Sequence, residues 1–240
     1  MKTLDESREP VIPTDDVSAL LTRYLPILSH DVRTPMTAIR GATGLLSAGV
    51  AGRLSDHQQK LVDICHRNAD LTTLLVQDVV DLLRLGTGTV RVQPIDLDAL
   101  AEAREMWDMV SAQTALPVEI LSAEGRVPLH ADRNYLRRAI SALIRFPQGH
   151  GGVERASLTV RSVADGVEMT LYCTPLSEDV DWSRHLTVRC RRQIKERLSV
   201  TGLEIDLLGA IAAYFSAELS VLPLPGEALQ ITMLWPAISM

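Results

Sequence analysis

From Leu21 onward, apolar residues recur at alternating intervals of three and four: Leu25, Leu28, Val32, Ile39 and Leu46, with Pro35 and Ala42 filling the intervening seam positions. That spacing predicts one long amphipathic helix. The glycines and the Ser-Asp pair of SAGVAGRLSDH, Ser47 to His57, predict a turn followed by a new helix start. A second seam of Leu61, Ile64, Asn68, Leu71, Leu75, Val79 and Leu82 carries helix on to about Leu85. Two long helices joined by a short turn make an antiparallel hairpin. A lone hairpin exposes a wide apolar stripe on each helix, so the expected assembly is a homodimer closed into a four-helix bundle.

GTGTV at 86 to 90 breaks the helical pattern, and short β-like runs then alternate with helices. The expected strands are Val90 to Ile95, Val118 to Leu121, Val127 to His130, Ala156 to Val163, Val167 to Cys173, Glu218 to Leu222 and Leu229 to Leu234. The expected helices are Leu97 to Gln113, Asp132 to Phe146 and Gly202 to Ser216. The fold class is therefore α+β: a mobile leader over 1–16, a helical hairpin over 17–86, and a mostly antiparallel sheet covered by helices over 87–240.

Composition excludes several partners. Aromatic residues are 4% of the 240, and the formal net charge is -6. Neither suits a stacking platform or a broad polyanion-binding surface, so nucleic acid is not an expected partner. No apolar run approaches the roughly 18 residues of a membrane span, and MKTLDESREP lacks the apolar stretch of a signal peptide. A cytoplasmic protein is expected, without membrane contact. Cys65, Cys173 and Cys190 show no CxxC or zinc spacing and read as small buried hydrophobes.

The chemistry concentrates in LSHDVRTPMTAIRG, Leu28 to Gly41. If Leu25, Leu28 and Val32 form the seam, His30 falls on the side of the helix farthest from it and faces water. Thr34 lies on the same face one turn later, and Asp31 is offset by about 100° yet within reach of the imidazole edge. One imidazole nitrogen can attack as a nucleophile while the other holds a proton, and a neighbouring carboxylate can fix that tautomer. Pro35 has no N–H for the carbonyl of Asp31, so the helix is expected to kink or loosen there. The alternative is a solvated His-Asp face with a packing irregularity beside it.

SHDVRTPMTAIRG resembles the H-box of sensor histidine kinases, usually SHELRTPLTAIRG, on the first helix of a hairpin. The resemblance implies that His30 is the phosphoacceptor, Asp31 its acid-base partner and Thr34 the phosphatase-linked residue. It further implies that the second domain is an ATP-binding sandwich of the Bergerat type, and there the motifs depart from the family. ADRNYLRRAISALIRFPQG, Ala131 to Gly149, keeps the leading acid of the N-box at Asp132, but its two asparagines fall on Ala142 and Phe146. The second of those asparagines holds magnesium in the family, and Phe146 has no oxygen to offer a hard cation. Pro147 follows and is expected to end the helix early. TPLSED stands where a DxGxG turn is usual. VTGLEI, Val200 to Ile205, keeps Thr201, Gly202 and Leu203 of GTGLGL but puts Glu204 where a carboxylate would repel a triphosphate. RCRRQIKERL, Arg189 to Leu198, occupies the lid position as a basic run, read as a charged helix face before any docking role.

An intact hairpin beside a degenerate nucleotide domain resembles histidine phosphotransferases of the ChpT and sporulation-phosphorelay kinds. The resemblance implies exchange of a phosphoryl group between His30 and receiver-domain aspartates, or its hydrolysis. It also implies no cofactor bound by this chain, with Mg2+ brought by the receiver. Two other readings stand beside it: a non-catalytic pseudokinase scaffold that modulates a receiver or kinase, and an active histidine kinase with an unusual nucleotide pocket.

Overall fold

The computed structural model describes residues 14–111, 118–149, 153–175, 186–187, 199–200, 203–224 and 228–237. The chain divides into two compact units, Met1–Thr89 and Val90–Met240, a little beyond the expected break.

The first unit is a hairpin of α1 (Thr14–Ser47) and α2 (Asp56–Thr87). Helix α1 begins inside the expected leader and runs unbroken through Pro35. Helix α2 starts where the Ser-Asp pair predicts. Ser55 caps it, its Oγ accepting the Gln58 N–H at 3.3 Å while Gln58 Oε1 accepts the Ser55 N–H at 2.9 Å. This reciprocal capping box satisfies two end donors at once. At the far end Gly88 adopts φ 68°, a left-handed conformation that closes the last turn onto the carbonyls of Arg84 and Leu85.

The helices are tied by polar rungs. Gln59 Nε2 donates to Ser47 Oγ at 3.1 Å, Thr43 Oγ1 meets His66 Nδ1 at 2.8 Å, Arg40 pairs with Asp70, and Arg33 Nη2 donates to Gln77 Oε1 at 2.6 Å. Partner numbers rise on one helix as they fall on the other, which is antiparallel register. Asp70 is only 7% exposed, so its carboxylate depends on Arg40 and on His66 Nε2 at 3.7 Å. Much of the predicted apolar seam lies open instead. Leu28, Ile39, Leu61, Ile64, Leu71 and Leu75 are all exposed. The heptad spacing marks a face that α1 and α2 do not close between themselves.

The second unit is α+β. Its main sheet runs β2-β4-β5-β9-β8, formed by Val118–Leu121, Val153–Val163, Gly166–Pro175, Leu229–Pro236 and Glu218–Pro223. Only β2 with β4 is parallel; the other pairs are antiparallel. A small ladder pairs β1 (Pro94–Asp98) with β3 (Pro128–Asp132), and a two-residue ladder pairs β6 (Leu186–Thr187) with β7 (Ser199–Val200). The helices are α3 (Ala99–Ser111), α4 (Arg133–Gly149) and α5 (Leu203–Phe215). Alternate residues of β9, Leu229, Ile231, Met233 and Trp235, are buried, as period-2 burial of one sheet face requires. Apolar positions of α4 and α5 such as Leu136, Ile140, Leu143, Leu207 and Ile211 are buried as well. Gly166, at φ 146°, opens β5 where a Cβ would lie 1.8 Å from the carbonyl oxygen of Trp235, so no larger residue fits.

Three expectations are corrected. The first strand lies over Pro94–Asp98 rather than Val90 to Ile95, because Asp132 Oδ2 takes the Gln93 N–H at 2.8 Å and the pairing begins only after it. Pro147 does not end α4, which continues to Gly149. A proline this near the C-terminus removes one hydrogen bond, and its fixed φ suits a helix. Cys65 is exposed on α2, whereas Cys173 is buried in β5, where burial pushes its thiol up to about 12. Cys190, like the basic run Arg189 to Leu198, lies outside the described residues.

Candidate functional site

At about 100° per residue, the less exposed residues of α1, namely Leu25, Ser29, Val32, Met36 and Thr43, share one flank. The open apolar residues Leu28, Pro35 and Ile39 share the next. His30 points away from both. Its side chain is 79% exposed and that of Asp31 68%, as the seam predicts. His30 Nδ1 lies 3.2 Å from Asp31 Oδ1. An ionised carboxylate can only accept, so the proton belongs to Nδ1 and the Nε2 lone pair is left to solvent. That is the tautomer a nucleophilic imidazole needs.

Thr34 stands one turn on, its Oγ1 donating to the His30 carbonyl oxygen at 3.0 Å. The hydroxyl is thereby oriented while its lone pairs remain available to a water. The three predicted site residues thus occupy one short stretch of exposed helix. Sequence reading missed what α2 contributes. Arg33, inside the same motif, is held by Gln77, and Gln77 Nε2 donates to Asp81 Oδ1 at 3.0 Å. The separation of 44 positions hides the first contact, and the amphipathic pattern marks Gln77 only as a polar flank.

The α/β unit treats its motif positions differently. Asp132 caps α4: its Oδ1 accepts the N–H groups of Asn134 at 2.9 Å and Tyr135 at 3.2 Å. Ala142 and Phe146 are both fully buried, so neither an oxygen ligand nor an accessible surface exists where the resemblance sets the asparagines. Glu204 is half-buried. It lies 3.6 Å from Nη1 of the buried Arg145, whose Nε donates to Ser141 Oγ at 3.3 Å. These residues do not fit a magnesium-bridged triphosphate. Nearby on α5, partial burial raises the Asp206 carboxyl above its ordinary range. Most of TPLSED and the glycine of VTGLEI lie outside the described residues. Among the described residues no group of three or more His, Cys, Asp or Glu is placed to hold a metal ion. No helix among them is long and apolar enough to cross a membrane.

Residues 20–88 match the profile of the His Kinase A (phospho-acceptor) domain. Histidine protein kinase DivJ of Caulobacter vibrioides is 24% identical over 144 residues, covering 59% of this chain and 24% of DivJ. An uncharacterized sensor-like histidine kinase of Rhizobium meliloti is 24% identical over 233 residues, covering 90% of this chain and 43% of that protein. The chain thus spans less than half the length of these two curated relatives. Among solved structures, full-length ShkA in complex with AMPPNP matches 90% of this chain and 47% of its own, at TM-score 0.57 and 18% identity. The Acinetobacter baumannii histidine kinase AdeS matches 88% of this chain and 98% of its own, at TM-score 0.53 and 17% identity.

A phosphoacceptor domain of the His Kinase A type is therefore followed by an α+β domain with the fold of histidine kinase ATPase domains. The domain match and the histidine kinase relatives support a place in two-component signalling.

Proposed function

We propose that this chain is a phosphotransferase of a two-component phosphorelay, exchanging a phosphoryl group between His30 and the aspartates of receiver domains without binding ATP. The observation that carries the reading is the contrast between an exposed His30, oriented by Asp31, and the sealed apolar positions of Ala142 and Phe146. His30 Nε2 attacks the phosphorus of an aspartyl phosphate. The P–N bond forms as the acyl phosphate P–O bond breaks, and the receiver carboxylate leaves with the electron pair. Asp31 stabilises the Nδ1–H of the resulting phosphoimidazolium. Such a transfer asks of the histidine side only an aligned nucleophile, because the receiver brings Mg2+ and its acidic pocket. In the hydrolytic direction, Thr34 orients the attacking water.

The exposed apolar stripe supports a homodimer, with Leu28 and Ile39 on α1 and Leu61, Leu71 and Leu75 on α2 covered by a second copy. The ChpT-like resemblance fits this reading, the α/β unit then serving as a docking wall for receivers.

The test incubates the protein with receiver domains bearing a radiolabelled aspartyl phosphate. Label is expected on His30, or as free phosphate released in a His30-dependent reaction. Label that stays on every receiver would instead support a scaffold, and incorporation from ATP and magnesium without a donor would overturn the proposal.

A further inference from the structure

Arg33 follows His30 by three residues on α1, a spacing that makes the two side chains surface neighbours at about 5–6 Å between Cβ atoms. Its guanidinium is fixed from the opposite helix. Nη2 donates to Gln77 Oε1 at 2.6 Å and to Ser29 Oγ at 3.4 Å. Gln77 is fixed in turn, because its Nε2 donates to Asp81 Oδ1 at 3.0 Å, which leaves Oε1 for Arg33. Asp81 is 5% exposed, a buried anchor for this chain of contacts. Both contacts of Arg33 use Nη2, so among the described residues its Nε and Nη1 have no hydrogen-bond partner.

A phosphoryl group arriving on His30 brings negative charge to a turn that already carries Asp31. A cation beside it must already be in place to help, since ordering a long side chain during transfer would consume part of the gain. The identity of the holding residue matters as well. An amide carbonyl orients a guanidinium without neutralising it, whereas a carboxylate would pair with it and divert its charge.

We propose that Gln77 and Asp81 are positioning residues that hold Arg33 as the charge partner of the phosphoryl group on His30, an inference that rests on reading His30 as the phosphoacceptor. Arg33 offers its remaining N–H groups to the phosphoryl oxygens as the P–N bond forms and the P–O bond to the donor carboxylate breaks. Gln77 never touches the group being moved.

The experiment measures single-turnover transfer from a radiolabelled receiver to His30 over a range of receiver concentrations. It uses wild type, Gln77→Ala, Gln77→Glu, Arg33→Ala and the Arg33→Ala/Gln77→Ala double variant. Expected are a roughly tenfold fall in the saturating rate for Gln77→Ala, a larger fall for Arg33→Ala, and no further loss in the double variant, while the half-saturating receiver concentration stays constant. Gln77→Glu, nearly isosteric, keeps a partner for Arg33 yet is expected to slow transfer too; a variant that merely preserved packing would not. It carries the test should Gln77→Ala fold poorly. A wild-type rate in Gln77→Glu and Gln77→Ala overturns the inference. So do additive losses in the double variant, or an effect confined to half-saturation, which would make Gln77 a receiver contact. Failure of the wild-type protein to take label at all overturns the phosphoacceptor reading, and this inference with it.

Discussion

In the hairpin the phosphoacceptor-motif residues stand in solvent, whereas in the α/β unit the two positions aligned with asparagines lie in the core. His30 and Asp31 project from a helix surface, while Ala142 and Phe146 have no accessible surface at all. One turn of helix is enough to expose a nucleophile and orient its proton. A nucleotide cleft instead needs oxygen ligands and open space drawn from several segments, and Ala142 and Phe146 supply neither. The α/β unit also carries its own histidine and carboxylate, with His130 Nδ1 at 2.7 Å from Asp96 Oδ1, closer than the pair on α1. That pair joins residues facing each other across the β1–β3 ladder, and Arg133, three positions after His130 at the start of α4, is engaged by the Glu102 carboxylate at 3.0 Å, whereas Arg33 is held by an amide. A histidine touching an acid is therefore not what distinguishes the hairpin; its surroundings are.

The largest test of this contrast replaces each histidine in turn. His30→Gln is expected to abolish labelling from a phosphorylated receiver, whereas His130→Gln should label as wild type; loss of label in the latter would break the comparison. Next, Phe146→Asn places an amide in a fully buried site and should cost about 3–5 kcal/mol in urea unfolding. Fluorescent ATP analogues should gain no affinity, and micromolar binding by this one change would show that the cleft is merely plugged. Smaller again, Arg40→Ala leaves the buried Asp70 with His66 as its one ion-pair partner among the described residues and should lower stability by about 1–2 kcal/mol, with hydrogen exchange quickened in α1 and α2 and unchanged in β4, β5 and β9. The smallest effect is chemical. In a Cys190→Ser background at pH 8, Cys65 should react promptly with a thiol reagent, while Cys173, buried and with its thiol pushed up to about 12, should react only on unfolding.

Much of this was legible in the sequence because it rests on local rules. The period of three and four announced the helices, Ser55 and Gly88 closed α2 as capping chemistry requires, and the outward direction of His30 followed from its place between seam residues. Alternation and turn residues mark β2, β3, β4, β5, β8 and β9 to within a few residues, whereas the two-residue β6 and β7 are too short to show a period and are missed. Hidden was whatever depends on partners distant in the chain. The polar rungs were invisible because His66, Asp70 and Gln77, read singly, look like a solvated flank. The first strand was set too early because its start depends on Asp132, 39 positions on from Gln93. Cys65 was misjudged because a small thiol on a helix carries no sign of which flank it occupies.

Those rungs also bear on how the hairpin can move. A leucine seam tolerates creeping displacement, since one methyl contact is exchanged for another at little cost. Hydrogen-bonded and charged pairs admit no such half-steps: sliding α1 past α2 would strand the Asp70 carboxylate and the Arg33 guanidinium before either met a new mate. The two helices are consequently geared together, and a twist applied at one end should be delivered at His30 as rotation of the whole rod.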